Sequence, residues 1–117
     1  MSDFFRLLAN HSLDASRLTL DYRTLPAVQT LSGTARVGTA ELGRLGDCAI
    51  GVWELSPSVS TDVEVDEFFV VLSGEATVTF ADGRAPLHLK PGSLGRLAAG
   101  TATTWSVTET LRKLYVA

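Results

Sequence analysis

Few side chains in this sequence are equipped for covalent or acid–base chemistry, and their spacing narrows the choice. The single cysteine, Cys48, would need an activating base to act as a nucleophile, and the chain offers only His11 and His88. Cys48 reads instead as a small buried apolar residue. His88 falls on the outward side of Leu87-His88-Leu89, and His11 lies in an irregular N-terminal part. Lys113 and Tyr115 are two residues apart and share one face of a strand. That face either lines a pocket or covers the outside of the protein; the spacing fits both. Trp53 and Trp105 each carry an indole N–H that needs a partner when buried. Trp53 reads as plain core.

The framework that must position these residues is β. From about Pro26 the chain runs in short apolar stretches broken by glycine every eight to twelve residues, the rhythm of a β-sandwich or barrel. Cys48 to Leu55 predicts a strand ended by Ser56-Pro57. Glu67 to Leu72 is apolar at successive positions, Phe68 through Leu72, as in a strand covered on both faces. Ser73-Gly74 is expected to turn the chain. Glu75 to Phe80 then alternates, with Ala76, Val78 and Phe80 on one face. Asp82-Gly83 predicts a type I′ hairpin turn. Leu87 and Leu89 point inward on the returning strand, and Pro91-Gly92 turns again. Leu94 to Leu97, Thr103 to Val107 and Leu111 to Val116 complete the set. Residues 1–25 differ. Ser2 or Asp3 could cap a short helix through Asn10, with Phe4, Leu7 and Leu8 on one face. The expected division is an N-terminal arm, 1–25, and a barrel domain, 26–117.

The 117 residues suit one domain with a core that needs no disulfide, and one cysteine cannot make an internal bridge. A net charge of −3 gives no attraction to nucleic acid or to an anionic membrane surface. No run of about 18 apolar residues is present to span a membrane. The opening Met1-Ser2-Asp3-Phe4-Phe5-Arg6 lacks the basic head and apolar stretch of a signal peptide. A cytoplasmic protein is expected.

Two glycine-anchored blocks carry a resemblance. The first is Pro57-Ser58-Val59-Ser60-Thr61-Asp62-Val63-Glu64-Val65-Asp66-Glu67, followed by Gly74. The second runs from Gly92 through Ala98-Ala99-Gly100 to Thr103. In this order, with Gly51-Val52-Trp53-Glu54, Trp105-Ser106-Val107 and Leu111 to Val116, they resemble the cupin superfamily. The likeness is to the small ethanolamine-utilisation-type (cupin-3) cupins, to which ureidoglycine aminohydrolase domains are related. The resemblance implies an all-β fold, a double-stranded β-helix or jelly-roll barrel. It also implies two histidines and a glutamate in the first block and a histidine in the second as metal ligands. Here Ser60 and Asp62 stand for the first two, Glu67 matches the glutamate, and Thr103 stands for the last. First-row metals in such sites prefer imidazole nitrogen, so no metal and no cofactor is expected.

By the same resemblance Glu67 points into the barrel beside Phe69 and Val71. Its role is a ligand-binding or acid–base carboxylate, or a relic satisfied by Ser60, Thr103 or water. Its pKa should rise unless Lys113 or an arginine answers it. Trp105, in phase with Thr103, should line the interior. Apart from Glu67, the acidic run, Asp62, Glu64 and Asp66, reads as a solvated strand edge. The candidate site is therefore Ser60, Asp62, Glu67, Thr103, Trp105, Lys113 and Tyr115. Three functions follow: metal-free binding of a small polar metabolite such as an amine or amino acid derivative; a metal-independent isomerase-, epimerase- or aminohydrolase-like enzyme using Glu67 as acid or base; or a structural or regulatory partner. The apolar N-terminal segment, with the pairing habit of small cupins, suggests a homodimer.

Overall fold

The computed structural model describes residues 6–117, so the cap expected at Ser2 or Asp3 lies outside the described residues. The remainder of that expected helix, 6–10, is not helical. The Leu7 N–H donates instead to the Leu42 carbonyl at 2.8 Å, which lays the chain beside a strand. A helix this short is marginal in water, and a sheet edge offers its backbone a partner.

The described residues form strands β1 (Tyr22–Thr24), β2 (Thr30–Ser32), β3 (Arg36–Leu45), β4 (Cys48–Leu55), β5 (Ser58–Val63), β6 (Glu67–Phe80), β7 (Leu87–Leu89), β8 (Leu94–Leu97) and β9 (Ala102–Val116). Short 3₁₀ turns occur at Ala15–Arg17 and Ala27–Gln29. All pairings are antiparallel. The long strands β6 and β9 pair from Phe68 opposite Val116 to Phe80 opposite Thr103. On its other edge β9 pairs with β5 over its first half and with β4 over its second. In the same way β6 pairs with β8 and then β7. Each long strand thus belongs to both halves of a curled barrel: β1-β3-β4-β9-β6-β8 and β2-β5-β9-β6-β7. This is the all-β jelly-roll barrel expected.

The bend between the halves corrects two expectations. Ser73-Gly74 does not turn the chain; β6 runs through it with slips in register between Val71 and Ala76. Gly74 has φ of 90°, and a Cβ there would lie 2.0 Å from the Thr110 carbonyl oxygen. Only glycine fits such a bulge, pressed against the partner strand. The strands expected at Thr103–Val107 and Leu111–Val116 are likewise one strand. A bulge breaks the alternation of side chains without breaking the strand, which is why each long strand reads as two.

At Asp82-Gly83 only Gly83 has positive φ, and its N–H donates to the Phe80 carbonyl at 3.1 Å. Ala81 and Asp82 are therefore the central residues, and the turn is not type I′. Phe69 and Val71 are buried, but Phe68 is 50% exposed, so β6 is not covered on both faces at its start. Cys48 is exposed as well. It opens β4 just beyond the Gly46-Asp47 turn, past the edge of the packed sheet.

Phe69, Val71, Val78, Leu55, Leu97, Trp105 and Leu111 form the interior core. A second cluster lies on the outer face of β3 and β4, where Leu13 and Leu18 pack on Leu20, Ala40, Leu42 and Val52. Leu13, Leu18 and Leu20 of the arm are thus covered by its own barrel, whereas Leu7 and Leu8 are exposed.

Candidate functional site

Alternation along β9 sends Thr103, Trp105, Leu111 and Lys113 into the interior, where all four are buried. Asp62 lies opposite Thr103, Ser60 opposite Trp105, Trp53 opposite Lys113, and Phe69 opposite Tyr115. These strands enclose a cavity of about 420 Å³. Six of the seven expected site residues line it: Ser60, Asp62, Glu67, Trp105, Lys113 and Tyr115. Thr103 lines a smaller hollow of about 310 Å³, shared with Asp62 and Gln29.

Glu64 is the residue that sequence reasoning missed. Asp62 and Asp66 are exposed, as a solvated edge would be, but Glu64 is 6% exposed and lines the cavity. Its Oε2 accepts hydrogen bonds from the Thr103 hydroxyl and, at 2.9 Å, from the Trp105 indole N–H. The loop is strapped in place by its backbone. The Glu64 N–H donates to the Thr101 carbonyl and its carbonyl accepts from the Gly100 N–H, both at 2.9 Å. The Ala99 N–H adds a bond to the Asp66 carboxylate. Thr103 and Trp105 therefore satisfy Glu64, not Glu67. The signal was present in the period-two run Ser60, Asp62, Glu64, which continues the inward face of β5 past its last residue.

Glu67 is answered by Lys113. Its Oε1 lies 2.7 Å from the ammonium, and both side chains are nearly buried. That oxygen has no well-directed hydrogen bond, so charge attraction holds the pair. Aromatic faces complete the surroundings. The ammonium lies 4.5 Å from the Trp53 ring centre, 4.8 Å from Trp105 and 4.9 Å from Phe69. Each face presents negative quadrupole density to the cation. Trp53 and Trp105 are tilted against each other with centroids 5.6 Å apart. Trp53 is thus cavity wall as well as core.

Two titrating groups are perturbed. Partial desolvation by the cavity wall and then the neighbouring Glu64 charge push the Asp62 carboxyl above its usual range, only partly offset by the Val63 N–H and Lys113. Burial, with Glu41 and Glu67, raises the Tyr115 hydroxyl, so the phenol stays protonated at neutral pH. The lining can therefore donate from Tyr115 and accept at Asp62 and Glu64.

A transition metal does not fit here. The four positions that hold it in metal-bearing cupins supply two hydroxyls and two carboxylates. The Thr103 hydroxyl is committed to Glu64, and the matched Glu67 faces an ammonium. Among the described residues no cluster of three or more His, Cys, Asp or Glu side chains is arranged to hold a metal.

Similarity to known proteins agrees with the fold. No curated protein sequence matches the chain. EutQ of Clostridium difficile superposes with a TM-score of 0.60 at 21% identity, over 70% of this chain and 67% of that one. A putative ethanolamine utilization protein Q of Salmonella typhimurium gives 0.60 at 19% identity, over 85% and 96%. A Pseudomonas syringae protein of unknown function, of the DUF861 family, gives 0.74 at 19%, over 86% of this chain and 45% of that one. At these identities the likeness concerns the fold alone. The sequence itself goes further: residues 42–115 match the EutQ-like cupin domain, and the chain belongs to that family of cupins.

Proposed function

We propose that the barrel cavity binds a small polar metabolite carrying an amine, and does so without a transition metal. The observation that carries this reading is the charge of the lining. Asp62, Glu64 and Glu67 all reach the cavity, and among the described residues only Glu67 has an ammonium directly against it. Glu64 is held by neutral donors, and its negative charge helps raise the Asp62 pKa. The lining stays acidic with Arg23 counted. A cationic amine relieves that repulsion, and a charge-assisted hydrogen bond to it is worth about 1.5–3 kcal/mol. Trp105 and Tyr115 supply apolar wall and a donor for the rest of the ligand. The name of the Salmonella protein, which refers to ethanolamine utilization, points to the same chemical class. We further propose a cytoplasmic homodimer; the exposed Phe68 and Leu94 on the outside of the barrel support the pairing, and light scattering at micromolar concentration tests it.

Calorimetry with matched small amines, carboxylates and alcohols tests the ligand class. Amines should bind, and Glu64→Gln or Asp62→Asn should weaken them about tenfold or more. Binding confined to carboxylates would overturn the reading. A second reading is a metal-independent proton transfer. Here Asp62, raised in pKa and not locked in an ion pair, serves better as the acid or base than Glu67.

A further inference from the structure

We propose that the floor of the barrel is a receptor for an alkylammonium ion, and that the chain fills it permanently with its own Lys113. The ammonium thereby stands as a tethered cation against the carboxylate that a metal would otherwise use. The proposal goes beyond the ligand reading above and does not depend on it.

Three observations carry it. First, the surroundings are those of an ammonium site: three aromatic faces within 4.5–4.9 Å of Nζ and a carboxylate oxygen at 2.7 Å. Aromatic cages of this kind recognise ammonium ions in general. Second, the walls come from separate elements, and two of the three rings are seated by contacts other than the lysine. Trp53 is on β4, Phe69 and Glu67 on β6, and Trp105 on β9. The Trp105 indole is fixed by Glu64. The Phe69 ring lies so close over Gly95 that a Cβ there would fall 2.3 Å from it. The cage is therefore set by packing on β8 and by the Glu64 hydrogen bond as much as by its occupant. Third, Lys113 is 4% exposed although it lines a cavity large enough to hydrate it. A long, strongly hydrated side chain stays in such a place only when its surroundings replace the water.

The consequence for the pocket is a division of labour. The cation position at the floor is taken, so an incoming ligand meets a neutralised Glu67 and the acidic Asp62 and Glu64. A divalent metal entering at Glu67 would have to displace a covalently attached cation.

Truncating the occupant while leaving the receptor tests this. Lys113→Ala should melt well below the parent protein and regain stability saturably with n-propylammonium chloride. Sodium chloride at equal ionic strength and n-propanol at equal concentration should do much less. The parent protein and Lys113→Ala/Glu67→Gln should show little of the amine-specific gain. If Lys113→Ala folds only in the presence of propylammonium, the proposal stands. If no amine recovers it, if propanol serves as well, or if manganese or nickel stabilises it as much as the amine, the proposal fails. The unmodified protein provides a second readout. With ¹⁵N-labelled lysine, the Lys113 ammonium should give a slowly exchanging signal, and its ε-methylene protons should be shifted upfield by the rings. An ammonium exchanging like a solvent-exposed lysine would overturn the assignment.

Discussion

Arg112 and Lys113 are neighbours on β9, almost equally buried, and they face opposite sides of one sheet. Arg112 lies beneath the N-terminal arm. Its Nε donates to Glu54 at 2.9 Å, and its Nη1 donates to the carbonyls of Ala15 at 3.0 Å and Leu18 at 2.7 Å. The Tyr22 hydroxyl closes the group on the other Glu54 oxygen. Lys113, inside the barrel, has one carboxylate and three ring faces. The planar fork of arginine suits several fixed acceptors at once, whereas an ammonium is a point charge that suits a cage. Burial alone does not distinguish the two residues. The partners do: directed bonds to backbone pin the arm to the sheet, and a cage around a charge prepares a cavity.

The sharpest way to break this contrast is to remove the outer group. Arg112→Ala leaves the Glu54 carboxylate and two carbonyls without their donor, and should cost about 3–5 kcal/mol. The arm should become sensitive to limited proteolysis, while cavity binding in the remaining folded protein stays intact. Loss of binding with an unchanged arm would reverse the roles assigned here. The inner pair comes next. Glu67→Gln keeps the shape but leaves Lys113 charged among the rings, and should cost roughly 3 kcal/mol in urea unfolding at neutral pH. Pairing that change with Lys113→Met removes both charges. The double variant should return to within about 1–2 kcal/mol of the parent, because it leaves neither charge buried without its partner. A double variant as unstable as the sum of the singles would mean that the two residues do not act as a pair.

Asp62 gives the smallest effect and the one that depends on pH. Its folded-state pKa lies above the ordinary carboxylate value. Its contribution to stability is therefore full below that ordinary value and is lost as pH rises through the elevated one. Asp62→Asn removes this dependence. It should melt about 1–3 °C above the parent near pH 7 and show no such gain near pH 3. A variant that melts lower near pH 7 would show that the charged form is welcome in the folded protein, against the repulsion described for the cavity.

Much of the barrel was legible from local pattern. Leu87 and Leu89 inward with His88 outward, and Ala76 and Val78 on the buried face, follow from a period of two, because a pleated strand shows alternate residues to one side. The glycine-anchored blocks located Ser60, Asp62 and Glu67 at the cavity. Contacts distant in sequence decided the rest. Glu64 continues the inward period of β5, but its burial is completed only when the 98–101 loop folds over it, and the segment 61–66 does not contain that loop. The Gly74 bulge depends on Thr110, more than thirty residues away. Lys113 is the clearest case. Alternation says that it shares a face with Tyr115 and that Arg112 takes the other. Both faces of this strand are covered, one by the closing barrel and one by the arm, so polarity along the strand carries no mark of inside or outside. Which cation meets the cavity was decided by how the sheet curls, and that is a property of the assembled barrel.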